Sequence, residues 1–249
     1  MDKALDKRDS TISSMFNGIA TKYDLLNHIL SLNIDKLWRK ELVNFLTQYS
    51  LNTDKTYYVA DIACGTGDLS IALFKKGIKV CGIDISSQML EVAKIKTKKL
   101  LNKRGKLNSN VASIAPEYII GNAECLNFKD REFDAITIAF GIRNFNKRDI
   151  CLKEIYRVIK PGGHLAILEF AAPKNKLIKY FYNLYFKNIL PFIGRLISKD
   201  KSAYKYLVES VENFPKYEDF CKEIKAANFK DIKYKKLSFG IATLYTASV

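Results

Sequence analysis

The chain has 249 residues, 48% of them apolar, and a formal net charge of +15. That length suits one generous α/β domain with a real core, while two distant histidines and five scattered cysteines without a CxxC pair argue against a Cys/His metal site. The charge comes from 33 Lys against 8 Arg, a coding bias short of the arginine forks that read bases, so no nucleic-acid partner is expected and an anionic membrane surface is an equal use for it.

Residues 1–54 contain no apolar run of leader or membrane-spanning length and read as an N-terminal helical cap. A core at 55–172 follows. Its first strand is the apolar Thr56–Ala63 run, closed by a turn at Gly65 and Gly67, then a short helix with Asp68 in its first turn and Gly77 as its stop. Further strands are expected at 78–86, 117–124, 133–141 and 163–170, with helices from Ser87 and over 148–160. This alternation predicts β-α-β crossovers and a Rossmann-like, doubly wound parallel sheet. An aromatic-rich insert, 173–213, reads as a helical lid. The segment 214–249 reads as a helix and a strand pair around Ser238–Gly240, which so short a connection makes antiparallel. Most cysteines sit in apolar runs and are expected as buried, reduced thiols, as in a cytosol.

In such a sheet the ligand lies at the carboxyl ends of the strands. The turn Cys64-Gly65-Thr66-Gly67-Asp68 stands there, and Asp84, at the end of the second strand, is placed to accept from both ribose hydroxyls. A dinucleotide site wants a third glycine and a helix N-terminus free of negative charge; here Ser70 replaces the glycine and Asp68 opens the helix. The pattern favours S-adenosylmethionine, with a nicotinamide cofactor or a turn used only for packing as alternatives. Asp61, Gly65, Thr66, Gly67 and Asp84 are candidate cofactor contacts, and Asn122 with Ala123, closing the third strand, could meet the adenine.

Together, Asp61–Asp68, Asp84, Gly121–Glu124 and Arg157–Phe170 resemble the class I methyltransferases, whose seven-stranded sheet ends in an antiparallel strand. Tyr23, Asp24, Asn27, Leu30, Ser31 and Trp38 fall at the spacings of the first signature of the demethylmenaquinone and polyprenyl-benzoquinol C-methyltransferase family. Arg157, Val158, Lys160, Gly162, Gly163 and Glu169 match its second. Asp35 stands where the first signature has His, Leu26 where it has Met, and Ala171 where the second has Ser. The resemblance implies C-methylation of a prenylated quinol, demethylmenaquinol first and 2-methoxy-6-polyprenyl-1,4-benzoquinol as the alternative. It carries cofactor contacts onto Thr66, Asp84, Asn122 and Ala123.

Methylation at a ring carbon requires a stabilised phenolate. Arg143 in Gly-Ile-Arg-Asn is the candidate cation and Tyr23 a candidate hydroxyl beside it; Asn27 and Asn144 are candidate substrate contacts. No histidine lies beside a carboxylate in any motif, so His28 and His164 read as structural. The insert places Lys176, Lys179, Asn183 and Lys187 on one polar stripe of an otherwise apolar helix, which suits membrane contact through 176–197 at the inner face or a roof over a prenyl tail. The location expected is cytoplasmic, and a homodimer is one option for assembly. A nucleic-acid methyltransferase fits less well, because no proline follows the fourth strand to build an amine-gripping loop. A non-catalytic partner in quinone synthesis is the remaining reading.

Overall fold

Alternating side chains send each strand's apolar residues to two faces, and here both faces are covered. In the computed structural model, residues 7–20, 23–31, 33–53, 55–103, 114–171, 173 and 201–249 are described. The strands are β1 (Tyr58–Ile62), β2 (Lys79–Asp84), β3 (Glu117–Ile120), β4 (Phe133–Ala139), β5 (Ile159–Phe170), β6 (Lys230–Leu237) and β7 (Ala242–Ser248). They form one sheet in the order β3-β2-β1-β4-β5-β7-β6, in which β7 alone runs against its neighbours. The seven-stranded sheet with its reversed last strand is as expected. The order reverses between β1 and β4, so a crevice opens at their carboxyl ends.

The described helices are α1 (Asp9–Ile19), α2 (Tyr23–Leu30), α3 (Ile34–Ser50), α4 (Asp68–Phe74), α5 (Ser87–Lys103), α6 (Arg148–Val158), α7 (Lys201–Glu212) and α8 (Glu218–Ala226). Ala60, Ile62, Ile136, Ile138, Leu165 and Ile167 pack on one face with Leu152 and Ile155 of α6 and Phe220 and Ile224 of α8. Their neighbours Val59, Ala135, Ala166 and Leu168 pack on the other, with Leu69 and Leu73 of α4 and Trp38, Leu42 and Leu46 of α3. Those three α3 residues, four apart, make one buried stripe. Residues 34–50 of the expected cap are therefore part of the sheet's covering layer, while α1 and α2 lie over the crevice.

Two local expectations shift. The helix expected over 148–160 stops at Val158, and Pro161-Gly162-Gly163 bulges within β5: Phe133 pairs with Ile159, yet Ala135 pairs with His164. Gly162, at φ +77°, makes that bulge possible. The third strand is only four residues long, because the chain turns at Asn122 to bridge Cys125. All five cysteines are free, but only Cys81 and Cys151 are buried; Cys64 and Cys221 are half-buried and Cys125 is exposed. Residues 174–200 of the insert lie outside the described residues, and with them the expected stripe of Lys176, Lys179, Asn183 and Lys187. Its end is α7. Among the described residues no helix is long and apolar enough to cross a membrane.

Candidate active site

The carboxyl ends of β1, β2 and β4 bound a cavity of about 720 Å³, lined among others by Ile62, Gly65, Asp84, Ile85, Met89, Asn122, Ala123, Phe140 and Asn144. Helix α1 straps across it: Asn122 Nδ2 donates to Asp9 at 2.6 Å, Ser13 Oγ to the Ile85 carbonyl at 3.3 Å, and Ser86 Oγ to Asn17 at 2.6 Å. Asp84 accepts the Gly65 and Ser86 N–H groups at 2.8 and 2.9 Å, which ties the glycine turn to the end of β2. Burial pushes the Asp84 carboxyl up, and the backbone donors of Ser86 and Gly65 pull against it. Each carboxylate oxygen has a second lone pair, so it can still accept from a ligand.

Tyr23, at the start of α2, lines the same cavity, edge-on to Phe16 with centroids 5.8 Å apart. Burial raises its phenol, against the opposing field of Arg143 and a hydrogen bond with Asn27. It is thus a hydrogen-bond donor at neutral pH, and Asn27 orients it from α2. Asn144 also lines the cavity and accepts from the Tyr206 hydroxyl at 3.1 Å. Ala63 and Phe140 hold φ of +53° and +60° at the ends of β1 and β4, where they line the cavity. Such left-handed non-glycine residues store strain where a site needs a fixed backbone shape; no sequence pattern announced them.

The structure places several expected site residues elsewhere. Arg143 does not line the cavity. A buried guanidinium requires a buried anion, and Nη1 donates to Glu169 at 2.9 Å and to the Phe140 carbonyl, while Nε reaches Ser210 at 3.3 Å. Glu169 is fully buried and also accepts the Arg143 and Phe170 N–H groups. The cation holds the turn Ile142–Asn144 that presents Asn144, and only its field reaches Tyr23. Gly67 serves packing: at φ +78°, a Cβ there would lie 2.6 Å from the Tyr118 hydroxyl. Asn122, by contrast, does line the larger cavity, where its Oδ1 accepts the Glu124 N–H at 2.8 Å and its Nδ2 holds Asp9 of α1.

Comparison with known proteins settles the family. The ubiE/COQ5 methyltransferase family matches residues 3–248. The chain belongs to that family. A demethylmenaquinone methyltransferase of Bacteroides fragilis is 38% identical over 246 residues, covering 97% of this chain and 94% of the relative. A ubiquinone/menaquinone biosynthesis C-methyltransferase of Geotalea daltonii is 40% identical, covering 97% of each. A mitochondrial 2-methoxy-6-polyprenyl-1,4-benzoquinol methylase of Dictyostelium discoideum is 36% identical, covering 98% of this chain and 83% of the relative. Among solved structures, a SAM-dependent methyltransferase of Thermotoga maritima described as a possible histamine N-methyltransferase superposes with a TM-score of 0.61 at 18% identity, covering 95% and 98%. The cyclase SpnF scores 0.62 at 15%, covering 96% of each chain; the fold is shared, and the reaction must be read from the site.

A second cavity, about 350 Å³, adjoins the first and is lined by Tyr23, Arg39, Asp61, Gly65, Thr66, Asp68 and Phe140 among others. Thr66 donates to Asp24 there and does not line the larger cavity. Asp68 is bonded to Lys96 and lies 3.8 Å from Arg39. Contrary to expectation, a histidine does meet a carboxylate: His28 Nδ1 lies 3.0 Å from Asp35, which also accepts from Ser31 at 2.6 Å and from Arg39. Where the family signature has His at position 35, this chain has the carboxylate, with an imidazole from α2 against it.

Asp61, buried at the end of β1, accepts from Ser70 at 2.6 Å and Thr137 at 2.9 Å. Burial outweighs those bonds and pushes its carboxyl up to about 6. An unfolded carboxyl titrates near 4, so between about pH 4 and 6 the folded chain binds the extra proton and stability falls as pH rises, by on the order of 3 kcal/mol. Asp61→Asn is expected to flatten that stretch of a urea-midpoint profile. An unchanged slope would show that Asp61 is not the group responsible.

Proposed function

We propose that the chain methylates a ring carbon of a prenylated quinol in quinone biosynthesis, with demethylmenaquinol as its substrate and S-adenosylmethionine as the methyl donor. The observation that carries this reading is that a chain matching the family over nearly its whole length brings Tyr23, Asp84, Ala123 and Asn144, from four separate segments, to one cavity at the topological switch point. The residues fit the donor. Asp84 would take the ribose hydroxyls, Ile85, Met89 and Ala123 form an apolar slot for the adenine, and Gly65 leaves the backbone bare beside it. When bound, the sulfonium supplies an activated methyl group.

The protein's own part is alignment and charge. Once a quinol hydroxyl has lost its proton to solvent, the Tyr23 hydroxyl and the Asn144 amide would donate to the oxygen left negative, and the proton on the methylated ring carbon then leaves to solvent as the aromatic ring is restored. Arg143, committed to Glu169, acts as a positioning residue: it fixes Asn144 and biases the Tyr23 hydroxyl toward a negative partner. Phe16, Phe140 and Phe145 keep water from the reacting carbon, where exclusion strengthens each of these contacts. The demethylmenaquinol assignment draws on relatives so named at 38% identity; a relative named for both quinones fits either substrate, and the benzoquinol methylase favours the second. Incubation with both demethylated quinols side by side, read by product mass, is expected to show faster conversion of demethylmenaquinol. Methylation of neither contradicts the reading, and a preference for the benzoquinol reverses the substrate.

A long prenyl tail calls for a membrane or an apolar roof. The sequence of 176–197, with Lys176, Lys179 and Lys187 spaced among Leu, Ile, Tyr and Phe, supports docking at an anionic membrane face. The chain is expected to co-sediment with anionic liposomes at low salt and to release as salt rises; protein left in the supernatant at low salt contradicts docking.

A further inference from the structure

The turn Ile142–Asn144 is held from two directions, and one of them is the end of the insert. From β5, Glu169 accepts from the Arg143 side chain and from its N–H. From α7, two hydroxyls four residues apart, and so on one helix face, reach successive residues of the turn. Ser210 Oγ accepts from Arg143 Nε at 3.3 Å, and the Tyr206 hydroxyl donates to Asn144 Oδ1 at 3.1 Å. Ser210 is fully buried and donates in turn to the Leu207 carbonyl at 2.9 Å, so its contact is structural. The Tyr206 contact differs, because its acceptor lines the larger cavity.

A primary amide has one accepting end and one donating end of nearly the same shape, so packing alone does not choose which meets a ligand. An oxygen gaining negative charge is stabilised by Nδ2 and repelled by Oδ1; a turned amide would oppose the reaction. Asn144 is buried, and its own N–H donates to the Gly141 carbonyl at 3.0 Å, which fixes the backbone. Among the described residues, Tyr206 is the hydrogen-bond partner of its side chain, and the bond engages Oδ1. Nδ2 is the end left for a ligand.

We infer that Tyr206 is a positioning residue for methyl transfer: by engaging Oδ1 of Asn144 it commits the Nδ2 donor to the quinol oxygen. The inference rests on the methyl-transfer reading above and adds to it a residue of the insert that acts through Asn144. It is tested with Tyr206→Phe, which keeps the ring and so the seating of α7, in a double-mutant cycle with Asn144→Ala. Single-turnover rates with S-adenosylmethionine and demethylmenaquinol keep slow variants measurable. Tyr206→Phe is expected to slow transfer about two- to fivefold, as loss of one uncharged hydrogen bond implies. The half-saturating quinol concentration and the affinity for S-adenosylhomocysteine should stay at their native values. In the Asn144→Ala background the same change should cost nothing further. Asn144→Leu, of similar size but without polar atoms, serves if the Ala variant does not fold.

A native transfer rate in Tyr206→Phe overturns the assignment. So does an equal loss in both backgrounds, or a loss confined to the half-saturating concentration, either of which makes Tyr206 a packing or binding residue. If the native chain transfers no methyl to a demethylated quinol, the methyl-transfer reading fails first and this inference falls with it.

Discussion

Asp84→Asn is expected to weaken binding of S-adenosylhomocysteine by about 100-fold or more, because two hydrogen bonds to a charged acceptor contribute about 1.5–3 kcal/mol each. The substitution is chosen over Ala because the amide oxygen can still accept one of the two backbone N–H groups, Gly65 or Ser86, that the carboxylate now serves. Loss of the second should lower stability by about 1 kcal/mol, well short of unfolding. Calorimetric titration of folded protein separates the two effects. An affinity within a few-fold of the native value would mean that the end of β2 does not hold the ribose, and that the larger cavity receives something else.

Arg143→Ala is expected to cost about 3–5 kcal/mol of stability, because it strands the charge of Glu169, which is fully buried. The double variant Arg143→Met, Glu169→Gln removes both charges and should recover most of that loss. It also isolates the electrostatic role: with the fold restored, turnover should remain below native, since the field that favours negative charge at Tyr23 is gone. Affinity for S-adenosylhomocysteine should change little, because neither residue lines the larger cavity. Urea unfolding of the single variant decides the structural part, and a loss under about 1 kcal/mol would contradict it. Native turnover in the double variant would remove Arg143 from the mechanism.

The sheet was legible because its signals are local. Apolar, β-branched runs mark β1, β2 and β4; Gly65 and Gly67 bound the first turn; Asp84 ends β2 at a fixed distance beyond it. The walls of the site were less so, since they depend on which distant segments touch. Asp9, Ile12 and Phe16 reach the larger cavity only because α1 lies across it, and nothing in a polar amphipathic helix names its docking partner. Arg143 and Glu169 are 26 positions apart and meet because β4 and β5 are neighbours; until then Arg143 reads as a free cation.

The His28–Asp35 contact shows the limit most clearly. Seven residues apart on one helix, the two would be separated by about two turns, roughly 10 Å. Here α2 stops at Leu30, and Asn33, at φ +61°, caps the start of α3. The break between the two helices lets the carboxylate come to 3.0 Å from the imidazole. The departure of Asp35 from the signature was visible in the sequence, but its compensation required the turn.

The most direct measurement is the fate of an isotopically labelled methyl group. With S-adenosylmethionine carrying a deuterated methyl and demethylmenaquinol as acceptor, the label is predicted to appear on the ring carbon of the quinol, established by mass and by nuclear magnetic resonance of the product. Label on a quinol oxygen, or none in the quinol while the folded chain binds the donor, would contradict the account.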